Sequence, residues 1–386
     1  MTDADRLSAG GDRVSPPPHG LPVVAVDVAT CSLPIVRPVR IGRTTYRERE
    51  YAVVRIHAAN GLEGVGFGYT RGLPLQPVVE RLAQELIGLD VTRPAAIHET
   101  LRATHASSRA GAIRALSVLD IATWDLVARR AGLPLWRLLG GARDRVTLMM
   151  VAGYHAEERG IDAVLDEVRA LLDAGVRHVK LHASDVALVT AVAESVRGRA
   201  SLAVDLGMRF RSVAEAQAGC APLDALGLAF LEDAFPVEAW RLTGELASRL
   251  RTPLAAGEDA PGAQALLDLI EATLVLRIDA TASGGIGDVL RAATVAATRG
   301  RSVMTHAFPD LHAHLAGDTA VGMVEMIPDS TGVNPIGELL ARRQRVVDGQ
   351  LLLSEEPGHG APLDWDRVTR WATHMTTIEH GEDGAS

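Results

Sequence analysis

Eight ionisable side chains interrupt apolar, strand-like runs in the second half of this 386-residue chain. They are Lys180 and His182 in HVKLHA, Asp205 in LAVDLG, Glu232 in LAFLEDAF, Glu258 in PLAAGED, Asp279 in LVLRIDAT, His306 in SVMTHAF and Glu325 in AVGMVEM. Each lies near the end of its run. A charge buried in an apolar strand is costly unless it is paired or put to use. Three carboxylates on successive runs, Asp205, Glu232 and Glu258, suit a hard cation such as Mg²⁺, which takes oxygen ligands and leaves positions for water or substrate. Any one of them alone would read as a surface acid or a helix cap; three in succession do not. Glu232-Asp233 and Glu258-Asp259 each offer two acids. Strand alternation points neighbours to opposite faces, so only one of each pair is expected to face a common pocket.

His306 and Asp279 stand on neighbouring runs and can form a dyad in which the carboxylate fixes the imidazole tautomer and raises its basicity. Lys180 and His182, spaced i, i+2, share a strand face and offer acid/base groups on another side. Together these residues match one demand. The proton beside a carboxylate is weakly acidic, and its removal builds a second negative charge on the carboxylate oxygens, which a cation must stabilise while a base acts.

The elements that must position these groups follow from the rhythm of the chain. After Gly141 short apolar or β-branched runs alternate with Ala- and Glu-rich helical stretches: VTLMMVAGY, HVKLHA, LAVDLG, LAFLEDAF, PLAAGED, LVLRIDAT, SVMTHAF and AVGMVEM. Parallel neighbours need helical crossovers, and eight such units close a β/α barrel whose C-terminal strand ends converge on one face. The seventh helix is expected to begin near Pro309. Before the barrel, residues 21–142 read as an α+β domain. PVVAVDV and EYAVVRIHA, closed by Asn60-Gly61 and continued by LEGVGFGY, give a hairpin pattern, and PVVERLAQELI, AAIHETLRAT and AIRALSVLDIATWDLVARRAG turn helical. Residues 1–20 read as a disordered lead-in, 143–344 as the barrel, and 345–386 as a segment that returns to the first domain and ends in a frayed tail, IEHGEDGAS. The fold class is therefore α/β, a modified TIM-type barrel with an N-terminal α+β capping domain completed by the C-terminal segment.

Composition narrows the partners. A formal charge of −9 with no long Lys/Arg cluster argues against nucleic acid. No run approaches a membrane span and the first twenty residues carry no signal-peptide core. The two cysteines, Cys31 and Cys220, lie far apart without a CxxC, which suggests neither a disulfide framework nor zinc and points to the cytoplasm. A small-molecule carboxylate is the expected partner. His155, His312 and His314 read as structural.

In VKLH, VDLG, LEDAF, AGED, IDATASGGIG, MTHAF with HAHLA, and VEM, in that order, the chain resembles the enolase superfamily and, within it, the mandelate racemase group. The likeness runs from about Val24 to Pro362 and includes the capping segment SVLDIATWDLVARRAGLPLWRLLGG. The resemblance implies that Asp205, Glu232 and Glu258 bind Mg²⁺, selecting the glutamates over Asp233 and Asp259. It implies that His306 with Asp279 is one acid/base catalyst, that Glu325 hydrogen-bonds a substrate carboxylate oxygen, and that the protein is a homo-oligomer. Muconate-cycloisomerase-like members carry a Lys on the sixth strand where this chain has the dyad. Two departures stand out: the usual Lys-x-Lys is Lys180-Leu181-His182, which puts His182 in the catalytic lysine's place, and the usual Asn after the first metal ligand is Gly207. Specificity in the family comes from cap loops, here 31–50 and GFGYTRG, so Arg43, Arg47, Tyr69 and Arg71 become candidate substrate contacts, although the arginines also fit a solvated basic hairpin. The expected reaction is dehydration of an acid sugar. Racemisation or epimerisation of an α-hydroxy acid uses the same residues, and a metal-binding barrel without turnover remains the alternative from another class.

Overall fold

The computed structural model describes residues 20–41, 44–104 and 109–379. The expected lead-in and Arg43 fall outside the described residues, as does the tail beyond Glu379.

The first domain is a four-stranded antiparallel sheet backed by helices. Strands β1 (Val23–Ile41), β2 (Thr44–Ala58) and β3 (Glu63–Tyr69) form a meander. Helices α1 (Gln76–Leu86), α2 (Pro94–Thr104) and α3 (Arg109–Ala131) cover one face of it. Val26, Val28, Val54 and Ile56 alternate inward to meet Val79, Leu82 and Leu86 of α1 and Leu116 and Leu119 of α3. Along β3 the sequence is GVGFG, and the spacing of its glycines sets how closely α3 approaches. A Cβ on Gly66 would lie 2.1 Å from the Val118 carbonyl oxygen, so helix and strand pack backbone to backbone there. At its far end α3 stops at Gly132 in the left-handed conformation (φ 66°), the C-terminal signal that its sequence carries. One turn, α4 (Leu135–Leu138), leads into the barrel.

The barrel is a closed ring of eight parallel strands, β4 (Arg145–Ala152), β5 (His178–Leu181), β6 (Ser201–Asp205), β7 (Phe230–Glu232), β8 (Leu254–Ala256), β9 (Val275–Ile278), β10 (Ser302–Thr305) and β11 (Met323–Met326). They are hydrogen-bonded in sequence order, and β11 pairs with β4 to close the circle. Crossovers run through α5 (Ala156–Asp173), α6 (Val186–Val196), α7 (Val213–Asp224), α8 (Trp240–Ala247), α9 (Ala263–Ala272), α10 (Ile286–Thr298) and α11 (Pro309–His312). The seventh helix begins at Pro309 as its sequence suggests, but lasts a single turn. After β11 the described residues run through two short 3₁₀ turns, Asp329–Thr331 and Pro335–Glu338, in place of a long crossover helix. Then β12 (Val346–Val347) and β13 (Gln350–Leu352) form a hairpin that pairs antiparallel with β4.

The chain then goes back to the first domain. Helix α12 (Trp365–Trp371) leads into β14 (Ala372–Glu379), which pairs antiparallel with β1 as the fourth strand of the cap sheet. Ile378 and Glu379 are the end of this strand, although their sequence reads as the start of a frayed tail. The β-branched alternation of ATHMTTIE is what carries the strand that far. The barrel's interior floor is apolar: Met149, Ala203, Phe230, Ala255, Val275 and Met304 point inward from their strands and plug its lower end. Among the described residues no helix is long and apolar enough to cross a membrane.

Candidate active site

Above that floor the inward-facing positions become charged, because the alternation that places Ala203 and Phe230 inside also places Asp205 and Glu232 inside two residues later. Asp205 and Glu232 are paired neighbours in the β6–β7 register, at the C-terminal ends of their strands. Glu258 follows β8 and Asp279 follows β9, while His306 follows β10; Glu325 lies within β11 and Lys180 within β5. The eight residues singled out by sequence thus gather at one mouth.

Carboxylate oxygens of Glu232, Asp233 and Glu258 lie within 4.8 Å of one another. The membership of Asp233 differs from the expectation that alternation would turn it away. Strand β7 ends at Glu232, and Asp233 takes a left-handed backbone (φ 48°) that swings its side chain back to the same side. Asp259 does turn away, to Arg114 and Arg71. Asp205 is not in that group: its Oδ2 faces His182 Nδ1 at 3.2 Å and its Oδ1 accepts the Gly207 N–H at 2.9 Å. Burial, together with the negative charges of Glu258 and Glu232, holds the Asp233 carboxyl far above the usual range. Glu258 is pushed up to about 7, first by burial and then by Glu232 and Asp259 against the pull of His306 and Lys180. Carboxyls this close and this buried resist ionising together, and a cation among them would relieve that. Glu232 Oε2 is buried and has no hydrogen-bond partner among the described residues, although Lys180 Nζ lies 2.8 Å from it. An all-oxygen donor set with such an oxygen available suits a hard divalent ion.

On one side of this cluster His306 Nδ1 lies 2.8 Å from Asp279 Oδ2. Asp279 Oδ1 accepts from both the N–H and the hydroxyl of Thr281 at 2.7 Å. Burial pushes the Asp279 carboxyl up, but the bond to His306, the nearby His312 and His306 rings and, last, the Thr281 hydroxyl outweigh it and keep the carboxyl well below its usual range. The carboxylate therefore receives a proton from Nδ1, and Nε2 is left facing Glu258 Oε2 at 3.4 Å and Glu325 Oε1 at 4.0 Å. Burial lowers the His306 pKa, but Glu258 and Asp279 raise it by more. The backbone after His306 is strained, with Ala307 and Phe308 both left-handed (φ 47° and 41°). His312 braces it: one ring nitrogen is 2.8 Å from the Ala307 carbonyl, and the other accepts the Ala280 N–H at 3.1 Å.

On the other side Lys180 and His182 have different surroundings. Lys180 is 3% exposed, and its Nζ is shared between Glu232 and Glu325, the latter at 2.6 Å. Those two charges overcome burial and hold it firmly protonated. His182 has a side chain 23% exposed, and its ring lies 4.4 Å from that of Tyr154, tilted by 30°. Of the pair, only His182 has an open approach to a substrate. The candidate specificity residues also separate. Tyr69 stacks on Tyr51 and touches Phe308 at 4.6 Å, and Arg71 lies over Tyr69 and reaches Glu258 Oε1 at 3.4 Å. Arg47 is exposed near the start of β2, whereas the buried Arg49 donates to the Val333 carbonyl and lies over the rings of Tyr46 and Tyr69.

Tyr154 and Arg277 carry no sign of a site role in the sequence, Asp233 was expected to turn away from the pocket, and His312 holds backbone, in keeping with its structural reading. Arg277 stands two residues before Asp279, so strand alternation already placed its side chain in the interior.

Comparison with known proteins agrees with this fold. Residues 24–140 match the family model of the mandelate racemase / muconate lactonizing enzyme N-terminal domain, and residues 163–367 match that of the enolase C-terminal domain-like family. The chain is 30% identical to L-talarate/galactarate dehydratase of Salmonella typhimurium over 92% of each chain. It is 25% identical to muconate cycloisomerase 1 of Rhodococcus opacus over 91% of this chain and 98% of that one. The crystal structure of L-talarate dehydratase from Polaromonas sp. JS666, complexed with Mg and L-glucarate, superposes with a TM-score of 0.84 at 27% identity, covering 93% of this chain and 99% of that one.

Proposed function

The chain belongs to the mandelate racemase and muconate lactonizing enzyme family of the enolase superfamily, and on that premise we propose that it is an acid-sugar dehydratase. The observation that carries the reading is the His306–Asp279 pair beside the carboxylate cluster, with a second imidazole, His182, on another side of the mouth. Asp205, Glu232 and Glu258 are the residues assigned to hold Mg²⁺, which when bound would stabilise the charge that builds on the substrate carboxylate. Asp205 and Glu232 are register neighbours, and Glu232 Oε2, which accepts no hydrogen bond among the described residues, supports the donor set.

In this reading His182 removes the α-proton, because Lys180 is held as a cation by two glutamates and has no lone pair to offer. Glu325 hydrogen-bonds a carboxylate oxygen of the substrate. His306 donates a proton to the departing β-hydroxyl, which leaves as water, and the resulting enol tautomerises to a 2-keto-3-deoxy acid. Asp279 holds the imidazole in the tautomer that keeps Nε2 directed at the substrate. Arg71 and Tyr69, at the cap side of the mouth, contact its distal end. The same reading makes the protein a cytoplasmic homo-oligomer acting on a small carboxylate, with neither nucleic acid nor membrane as partner. Its charge of −9 and two buried free cysteines are in keeping with it.

Two imidazoles around one carboxylate site also suit racemisation or epimerisation, in which one takes the α-proton and the other returns it. A ¹H NMR screen of acid sugars and α-hydroxy acids in D₂O with Mg²⁺ decides. Dehydration gives a keto acid; α-deuterium without loss of water means racemisation. Exchange into no member of a broad acid-sugar set would overturn turnover altogether in favour of a binding protein.

A further inference from the structure

Arg277 is the largest fully buried side chain of the described residues and takes no part in the chemistry above. Its position on β9 sends it into the barrel between the apolar floor and the charged mouth. There it meets both inner glutamates. Nε donates to Glu232 Oε1 at 2.7 Å, and Nη2 donates to Glu325 Oε2. Arg277 thus binds one oxygen of each, while Lys180 Nζ lies 2.8 Å from the other oxygen of Glu232, Oε2, and shares Oε2 of Glu325 at 2.6 Å. The third guanidinium nitrogen, Nη1, is buried without a hydrogen-bond partner among the described residues. Packing alone gives no reason for such a group here, since a buried donor left unpaired opposes folding and an aliphatic chain would fill the space without that cost.

The oxygens that Arg277 leaves over point elsewhere. Glu232 Oε2, with the Lys180 ammonium 2.8 Å away but no hydrogen-bond partner among the described residues, belongs to the carboxylate that lies with Asp233 and Glu258. Glu325 Oε1 lies 3.4 Å from the Ala307 N–H and 4.0 Å from His306 Nε2. We propose that Arg277 is a positioning residue, which pins the inner oxygens of Glu232 and Glu325 so that one outer oxygen of each is presented to a divalent cation and to the substrate carboxylate respectively. This rests on the reading of the mouth as a cation and carboxylate site. Two donors in a rigid planar fork fix the orientation of two carboxylates at once, which the single ammonium of Lys180 cannot do.

The test is Mn²⁺ binding to the full-length protein, followed by electron paramagnetic resonance, for the wild type, Arg277→Met, Arg277→Lys and, as a packing control on the floor, Met304→Leu. Supporting residues behind metal ligands contribute about 10–100-fold to metal affinity, and a weakening of that order is expected for Arg277→Met. Arg277→Lys should recover part of it, because it restores the charge but not the fork, and Met304→Leu should bind as the wild type does. Should Arg277→Met fail to fold, Arg277→Lys decides by itself. Folded Arg277 variants that bind Mn²⁺ within about twofold of the wild type, judged against that 10–100-fold expectation, would overturn the positioning role alone. A wild type that takes up no Mn²⁺ would instead overturn the reading of the mouth on which it rests.

Discussion

Two buried histidine–carboxylate assemblies, one at the barrel mouth and one between cap and barrel, have opposite characters. At the barrel mouth, His306 pairs with Asp279 and faces Glu258 and Glu325. At the junction of cap and barrel, His98 on α2 lies 3.0 Å from Asp120 on α3 and 3.6 Å from Asp288 on α10. Asp120 also accepts the Ile286 N–H at the start of α10, and Asp288 is paired with Arg291. Every charge at the junction thus has a protein partner, and the assembly acts as a rivet between domains. The mouth keeps a surplus of carboxylates, an oxygen without a hydrogen bond and an imidazole nitrogen with only long contacts. A histidine beside an aspartate is therefore not in itself a sign of catalysis. What distinguishes the mouth is the charge left over.

The contrast is broken most severely by removing what that surplus is for. Glu258→Gln, or chelation of divalent ions with EDTA, should abolish turnover, and Mg²⁺ should restore it only after chelation; full activity in the glutamine variant would sink the metal assignment. Next, His306→Asn should lower kcat by about 10²–10⁴-fold, the usual worth of a positioned acid or base. His98→Asn in the same assay should keep kcat within about threefold and lower the melting temperature instead. If the two variants change places, the comparison fails.

The junction also makes a prediction about pH. Burial opposes charging of His98, but its bonds to Asp120 and Asp288 lift its pKa from 6.5 to about 9. A group raised on folding contributes its full stability below pH 6.5 and loses it as the pH rises through 9. Burial pushes the Asp120 carboxyl up, which offsets part of the gain, so the contribution should be about 2 kcal/mol at pH 6. Denaturant melts of the wild type and His98→Asn should differ by about that much at pH 6 and converge near pH 10; a gap that widens with pH would reverse the assignment. The smallest effect is expected from Thr281→Val. It removes one of two hydrogen bonds to Asp279 Oδ1 with little change of shape, and should lower kcat only a few-fold while costing about 1 kcal/mol in a thermal melt. No change in kcat would mean that the dyad needs no such support.

The barrel and its charged mouth were legible in the sequence because a strand's period of two and the convergence of barrel strand ends are both simple geometry. Asp205, Glu232, Asp279, His306 and Glu325 fall where counting along apolar runs places them. What escaped is what departs from that period. Asp233, Ala307 and Phe308 adopt left-handed backbones with no glycine to announce them, so the return of Asp233 to the pocket and the bracing by His312 have no sequence signature. Arg277 was accessible by the same counting but reads as an ordinary surface arginine until the ring closes around it. Lys180 and His182 look equivalent at i, i+2; only the three-dimensional placement of Glu232 and Glu325 commits the lysine to an ion pair. In the cap, His98 sits on an amphipathic helix whose pattern gives no hint of the two aspartates that meet it.

The pairing of β14 with β1 has a consequence for how the molecule is made. From Ala25 to Cys31 the edge of β1 opposite β2 is paired with residues 372–379, from the far end of the described chain. During synthesis that edge stays bare while every barrel unit emerges, and an unpaired strand edge is a template for joining other chains. The barrel units can form locally as they emerge, but the first domain to begin is the last to be finished. Truncation just before Ala372 should leave every residue of the mouth in the chain and yet yield a protein prone to aggregate as it is made.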